Sequence, residues 1–413
     1  MSGVAVKKVF RTGDQALVRE INLSIILNCL RGVAPLSRAQ LAQMTGLNKT
    51  TVSSLVNELL ESGFIREVGL GQSSGGRRAM MLDLNPDAGR IIGLEIGVDF
   101  LSIILTDFQA RILWRCKKET DPAQSQDTIL NLAVELTRDA RAATEQDSGS
   151  LLGIGIGVPG LVDSSSGMLL FAPNLKWHDV PIKDVFVHEF GIPVFVDNDA
   201  DVAALGERYF GVAQHVEDFI YLAVGVGLGG GIVLGGKPYG GVGGYAGEIG
   251  HTTIVEDGER CNCGNRGCWE TLVSQKAVIK RARKAVESHG ESRIAQLVGG
   301  RLEQISIPII VQAASEGDGV ARQVLEETGV YLGIGIANLI NTFNPELIIL
   351  GGVISLASDY LLPAIERTIE ERSLAWPRRM VRIMASSHGP DACVMGGVAL
   401  VLHDILSRPG LAT

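Results

Sequence analysis

The chain has 413 residues, enough for two or three domains with sizeable cores, and its 46% apolar and 20% charged content excludes a wholly disordered polymer. Its 51 glycines fall in short loops between apolar runs without a collagen period, the pattern of an α/β protein with many tight turns. The net charge of −9 is unevenly spread, +5 over residues 1–80 and −14 over the remainder, so a basic head that meets a polyanion is expected on an acidic body.

Charged residues or Gly-rich turns interrupt every long apolar run, so no membrane span is expected. Only Cys261, Cys263 and Cys268 of the six cysteines are clustered, and no secretory signal is evident, which fits a reducing cytoplasm.

Residues 15–31 repeat apolar side chains at helical spacing, and Ser37 with Gln40 forms a capping-box signature that opens a short helix ending at Gly46. Asn48 suits the N-cap of a second helix, Lys49–Glu61, whose Val52, Leu55, Val56, Leu59 and Leu60 make an apolar face. Helix, Gly-containing turn and helix with small polar residues on its exposed first half is a helix-turn-helix pattern; an ordinary three-helix packing unit is the plainer alternative. Lys49, Thr50, Thr51, Ser53 and Ser54, with Arg38 beside them, are the candidate DNA contacts. Two apolar runs, 64–68 and 79–84, flank a Gly/Ser loop carrying Arg77 and Arg78, which reads as a winged hairpin whose arginines reach a minor groove or clamp phosphates.

Residues 85–89 look like a hinge. Strands are expected at 91–106, interrupted by a turn around Gly97, and at 112–117, 151–158 and 194–198, with an amphipathic helix over 128–143. Asn174 follows Pro173, where a turn former is as natural as a ligand contact. A strand at 219–224 leads into a Gly-rich turn, 225–231, and then a strand at 232–234. Helices or short connecting segments follow at 274–286, 294–298 and 307–314, a long helix at 320–341, a strand at 347–352, a helix at 361–371, a strand at 381–385 and a last helix at 394–406.

Between these, residues 247–270 pack His251, Cys261, Cys263 and Cys268 into one turn-rich segment, a Cys3His set suited to one structural zinc; a disulfide or unrelated thiols are the alternatives. Gly264 and Gly267 give the loop the positive φ that so small a knuckle requires. Glu248 and Glu270 bracket it, and paired carboxylates with a histidine suit a polyhydroxyl ligand.

Gly-Glu-x-Gly-His at Gly247 to His251, followed by Cys-x-Cys-Gly-x-x-Gly-Cys-x-Glu at Cys261 to Glu270, closely resembles the signature of the ROK family, named for repressors, open reading frames and kinases. The resemblance covers nearly the whole chain and implies a winged helix-turn-helix head over 1–85 and a two-lobed, actin-like body of the sugar kinase and Hsp70 type. The first lobe is expected over 86–198, completed by about 385–413, and the second over 199–384. It also implies sugar contacts from Asn174, Asn198, Asp199, Glu248, His251 and Glu270, with Asp199 at the position of the kinases' general base. The family's kinases carry Asp-x-Gly-Gly-Thr-Lys in the first phosphate loop, where this chain has Glu95-Ile-Gly-Val-Asp-Phe100, and Val226 stands where a Thr is usual. Side-chain bulk, an added negative charge and a lost cation all disfavour ATP, leaving Asp199 a vestigial base and no catalytic residue. The expectation is a sugar-responsive repressor, in outline of the xylose-repressor type, with N-acetylglucosamine regulators sharing the site residues. It would bind an inverted-repeat operator as a homodimer or dimer of dimers, with a monosaccharide effector; a sugar kinase, or control by a protein partner, are the other readings.

Overall fold

The structure, a computed structural model, describes residues 15–71, 78–143 and 149–408. It divides into two compact units: one of residues 1–89, 107–111 and 402–413, the other of 90–106 and 112–401.

In the first unit, α1 (Gln15–Val33) packs with α2 (Arg38–Thr45) and α3 (Lys49–Glu61), and β1 (Leu36–Ser37), β2 (Ile65–Leu70) and β3 (Met80–Leu84) form a sheet in the order β1-β3-β2. The capping box forms as expected: the Gln40 amide donates to Ser37 Oγ, and the Ser37 amide to Gln40 Oε1 at 2.9 Å. Gly46 ends α2 with φ 71°, and Asn48 Oδ1 accepts from the Thr51 amide at 2.8 Å to start α3. Leu23, Ile26, Leu30, Leu41, Val52 and Leu55 are buried, whereas Ile21 and Ile25, which share the apolar period of the first helix, are exposed and Leu60 is half-buried, so the core face is narrower than the period of the sequence. Residues 85–89, expected as a hinge, lie at the end of a stretch of the first unit that runs to Gly89. Asn85 Nδ2 donates to the Gly63 carbonyl at 2.8 Å, and a 3-10 turn spans Pro86–Ala88, so the segment is fastened into this unit.

The second unit contains two five-stranded sheets. One has β4 (Arg90–Ile96), β5 (Phe100–Asp107), β6 (Ile112–Glu119), β7 (Leu151–Val158) and β11 (Val194–Asn198) in the order β11-β7-β4-β5-β6. Its faces are covered by α4 (Gln126–Ala142) and α5 (Ile182–Phe190), and a small sheet of β8 (Leu161–Asp163), β9 (Met168–Ala172) and β10 (Trp177–Val180) stands beside it. After α6 (Asp199–Phe210), the other sheet contains β12 (Phe219–Val224), β13 (Leu228–Leu234), β14 (Lys237–Pro238), β15 (Leu347–Gly351) and β16 (Arg382–Ala385) in the order β14-β13-β12-β15-β16. Around it lie α7 (Glu270–Val273), α8 (Gln275–His289), α9 (Arg293–Leu297), α10 (Ile307–Ser315), the long α11 (Gly319–Phe343), α12 (Ser358–Arg372) and α13 (Ala375–Met380), before the final α14 (Ala392–Ser407). Two sheets of this kind on one chain make the actin-like body of sugar kinases.

Glycine run 225–231 differs from the expected turn: β13 begins at Leu228, so Gly229, Gly230 and Gly231 lie in the strand. On one face of the strand α6 crosses Gly229 and Gly231 so closely that a Cβ on Gly231 would meet the Ala200 carbonyl oxygen at 2.4 Å, and on the other face a Cβ on Gly230 would meet the Ile249 side chain at 2.5 Å. The same logic seats α14 on the first sheet, where a Cβ on Gly155 would lie 1.9 Å from the Gly397 carbonyl oxygen. Residues 389–407 are the one described stretch long and apolar enough to cross a membrane, against the sequence expectation of none, but they are 67% buried within the protein. A helix that lies backbone to backbone on β-strands must be apolar for that reason alone.

Candidate functional site

The candidate DNA contacts of the first unit are carried mostly by α3. Lys49, Thr50 and Ser54 are exposed and Thr51 and Ser53 partly so, which places the polar half opposite the buried Val52, Leu55, Val56 and Leu59. The Ser53 hydroxyl donates to the Lys49 carbonyl at 2.8 Å and keeps its lone pairs free to accept. Arg38, at the start of α2, donates to Asn57 Oδ1 at 2.9 Å, so its guanidinium is held over α3. Arg78 is exposed at the base of the wing, and Arg77 lies outside the described residues.

In the second unit, residues 247–270 form the knuckle that the spacing implied. Thr253 bridges to Cys268 and Arg260 to Arg266, folding the loop back on itself. Gly264 and Gly267 adopt φ of 97° and 65°, and a Cβ on Gly267 would lie 1.6 Å from the Val255 carbonyl oxygen, so only glycine fits the turn. The ligand atoms of His251, Cys261, Cys263 and Cys268 all lie within 4.8 Å of one another, and these cysteines are free thiols. Cys263 Sγ is 3.7 Å from Cys268 Sγ, and Cys261 Sγ is 3.6 Å from His251 Nδ1. Thiolates about 2.3 Å from one zinc would be about 3.8 Å apart along the edges of a tetrahedron, so the donor set suits a tetrahedral metal ion.

Beside the thiols stand the carboxylates. The indole of Trp269 is buried, with Nε1 donating to the Tyr331 carbonyl at 2.9 Å, and it rests on Gly335 of α11, where a Cβ would lie 2.1 Å from the ring. That anchor fixes the adjacent Glu270. Its Oε1 lies 2.8 Å from Cys261 Sγ and 3.7 Å from His251 Nδ1. Its Oε2 and Asn174 Nδ2 converge over Gly227, at 3.0 and 3.3 Å from the place of a Cβ. His251 turns its other nitrogen, Nε2, to Glu248 Oε2 at 3.6 Å. Asn174, Glu270, His251 and Glu248 therefore form one continuous polar arc.

Asn198 and Asp199 stand at the junction of β11 and α6. Asn198 is mostly occupied: Oδ1 caps α6 by accepting from the Ala200 and Asp201 amides, and Nδ2 donates to the Gly160 carbonyl at 2.9 Å, leaving one N–H for a ligand. Burial, with the Glu248 charge adding to it, raises Asp199 to about 6. Asp197 is raised to about 6 by burial, and Asp201 is raised well above the ordinary range by burial and then by Asp197, Asp199 and Glu248.

A hollow next to the arc is lined by Asn198, Asp201, Tyr245 and Glu248, together with residues 160–162, 229–230, 244 and 246–247. Of the six expected sugar residues, only Asn198 and Glu248 line it; Asn174, His251 and Glu270 gather around Gly227 and Glu248, and Asp199 follows Asn198 as the first residue of α6. Three residues of the site were missed from sequence. Asp201 completes an Asp-x-Asp-x-Asp run that was visible, but Tyr245, in a Gly-rich loop, and Asn262, whose Nδ2 donates to Asn174 Oδ1 at 3.1 Å, had no local signal.

At the altered first loop, the Phe100 ring lies against Gly97, 2.6 Å from the place of a Cβ, and Lys117 Nζ sits 4.2 Å from the ring centroid. An aromatic ring thus lies against the loop backbone at Gly97, with the Lys117 cation over its face. Glu95 is driven up to about 8 by burial and by Asp199, against the opposing pull of Lys117, and its Oε2 is buried without a hydrogen-bond partner.

A winged helix-turn-helix unit and an actin-like body with a His/Cys3 knuckle define a class, that of DNA-binding relatives of sugar kinases. Residues 91–404 match the ROK family and residues 20–66 a winged helix-turn-helix DNA-binding domain, so the chain belongs to the ROK family. It is 38% identical over 400 residues to a xylose repressor of Caldicellulosiruptor bescii, covering 97% of this chain and all of the relative. Among solved structures it resembles a ROK family transcriptional regulator, a homologue of the E. coli MLC protein, with TM-score 0.81, 31% identity and 96% and 98% of the two chains covered. A ROK glucokinase from Streptomyces griseus, solved with glucose and AMPPNP, aligns with 76% of this chain and 99% of its own at TM-score 0.69 and 33% identity.

Proposed function

We propose that this protein is a sugar-responsive transcriptional repressor without kinase activity. The observation that carries the reading is the pairing of a DNA-binding head with a polar sugar arc beside a covered phosphate loop, in a chain similar over nearly its whole length to a xylose repressor. The head binds an inverted-repeat operator through α3 and the wing, as a homodimer or dimer of dimers, in the cytoplasm. Asn174, Asn198, Asp199, Glu248, His251 and Glu270 hold the hydroxyls of a monosaccharide, and Asp199 performs no proton transfer because Val98, Asp99 and Phe100 in the first loop disfavour a phosphoryl donor.

His251, Cys261, Cys263 and Cys268 would hold one structural zinc, which supplies cross-linking of the knuckle. The chain's own residues do the rest: Trp269 fixes the far end of the knuckle, Glu270 points one oxygen to the thiols and one to the ligand, and Asn262 ties the loop to Asn174. The lobes 86–198, completed by 385–413, and 199–384 are proposed to close on the sugar.

Sugar and operator then bind antagonistically, and linkage makes the effect mutual: a tenfold loss of operator affinity is about 1.4 kcal/mol of coupling, returned in full on sugar affinity. Thermal-shift screening of sugars finds the effector, since a ligand of the native state raises stability. Titrating operator DNA with and without that sugar is the test. Weaker operator binding at saturating sugar is expected; unchanged affinity would remove the effector role and favour control by a protein partner.

A further inference from the structure

We infer that the outer face of α1 is a docking surface for the α1 of a second copy of this chain, so that the two DNA-binding heads of a dimer touch each other through it. The inference rests on the dimer reading and deepens it by naming the surface that joins the heads.

α1 packs on α2, α3 and β3, and its Leu23, Ile26, Leu27 and Leu30 are buried there. At about 100° per residue, Val18, Ile21 and Ile25 fall in one narrow stripe on the opposite side of the helix. Their spacing of three and then four residues is that of a seam between paired helices. Val18 is 51% exposed, Ile21 49% and Ile25 39%. Three successive β-branched side chains suit a solvated helix face poorly, because they lose rotamer freedom in the helix and gain no burial in return. A helix that is apolar on two opposite faces is one that is covered on both.

Charge selects the occupant. The head carries +5 over residues 1–80, yet the charged residues of α1, Arg19, Glu20 and Arg31, all lie about 110° or more round the helix from the centre of the stripe. Arg19 is ion-paired with Glu58 of α3. The residues that flank the stripe, Asn22, Asn28, Cys29 and Gly32, are uncharged, and the Asn28 amide donates back to the Ser24 carbonyl at 2.9 Å. DNA, or a protein partner recognised by its charge, would find nothing to pair with on this face. A second copy brings a stripe identical to this one, and a twofold contact requires the same patch on both partners. Heads on an inverted repeat are related by such a twofold, so one axis serves the operator and the α1 pair. Three half-exposed aliphatic side chains bury far less than the roughly 1,200 Å² of a stable interface. The contact therefore forms between heads that are already held close together, where the effective concentration is high.

The test uses the full-length, metal-loaded protein. Sedimentation establishes whether the chain is a dimer; a monomer at every concentration would sink the dimer reading and this inference with it. Within the dimer, Ile21→Cys should be joined to the partner's copy by a short bis-maleimide at least tenfold faster than wild type or Gln43→Cys, an exposed position on α2. Adding Ile25→Lys to Ile21→Cys should slow that cross-link at least fivefold, with the melting temperature preserved because position 25 is partly in water. Cross-linking of Ile21→Cys no faster than that of Gln43→Cys, or untouched by Ile25→Lys, would overturn the inference and leave the dimer reading in place. Fast cross-linking that appears only once residues 2–14 are deleted would assign the stripe to that segment of the same chain, and would overturn it as well.

Discussion

The buried carboxyl of Glu95 offers a quantitative test of how the altered loop is built. Burial and the Asp199 charge raise it from 4.5 to about 8 in the folded protein. Because the folded pKa lies above the unfolded one, the native state holds the extra proton between these values, and stability from this group is present at low pH and lost as pH rises toward 8. A shift of this size corresponds to at most about 5 kcal/mol at about 1.36 kcal/mol per pH unit. About two of these pH units lie between pH 6 and pH 8, so at most about 2–3 kcal/mol of that ceiling is lost above pH 6. Glu95→Gln removes the titration. The stability difference between variant and wild type should therefore grow in favour of the variant by about 2–3 kcal/mol from pH 6 to pH 9. Asp197 and Asp199 titrate with the same sign but nearer pH 6, and they are present in both proteins. Trp114, Trp177, Trp269 and Trp376 all lie in the second unit, so guanidinium unfolding followed by tryptophan fluorescence reads that unit alone. A difference that stays constant within about 0.5 kcal/mol across this pH range would refute the account of Glu95 as a desolvated acid.

Other expectations are as direct. Protein purified without added zinc should contain close to one metal equivalent per chain, and Cys263→Ser should lose both the metal and sugar binding, since the knuckle positions Glu270; normal sugar affinity in the metal-free variant would separate the two sites. A coupled assay should find no sugar-dependent ATP turnover above background, and robust turnover that disappears in Asp199→Asn would restore the kinase reading. Arg78→Ala should weaken operator binding uniformly and lower its salt dependence, whereas Thr51 or Ser53 substitutions should change base preference, as gel-shift titrations across salt and sequence would show. Asn262→Ala, which removes the tie to Asn174 but no metal ligand, should weaken sugar binding severalfold while zinc content stays unchanged.

Local spacing alone determined the head, its caps and the metal set. A capping box, a helix period, a C-cap glycine and a Cys-x-Cys-Gly-x-x-Gly-Cys knuckle are each complete within a few residues, so the physics that forms them is readable in the chain without its neighbours. What the tertiary structure decided are matters of long-range approach. Gly229 and Gly231 lie in a strand crossed closely by α6, with Gly230 against Ile249 on the other face, and residues 389–407 are mostly buried, with α14 backbone against the first sheet. Asn262 became a site residue because folding brings it to Asn174, 88 positions away, and Phe100 covers Gly97 by a ring placement that no pattern encodes. Asp201 and Tyr245 share a wall although 44 positions separate them in the chain, and the charge of that wall exists only once Asp197, Asp199 and Glu248 are folded against it, since desolvation and Coulomb energy depend on distance in space and not along the sequence.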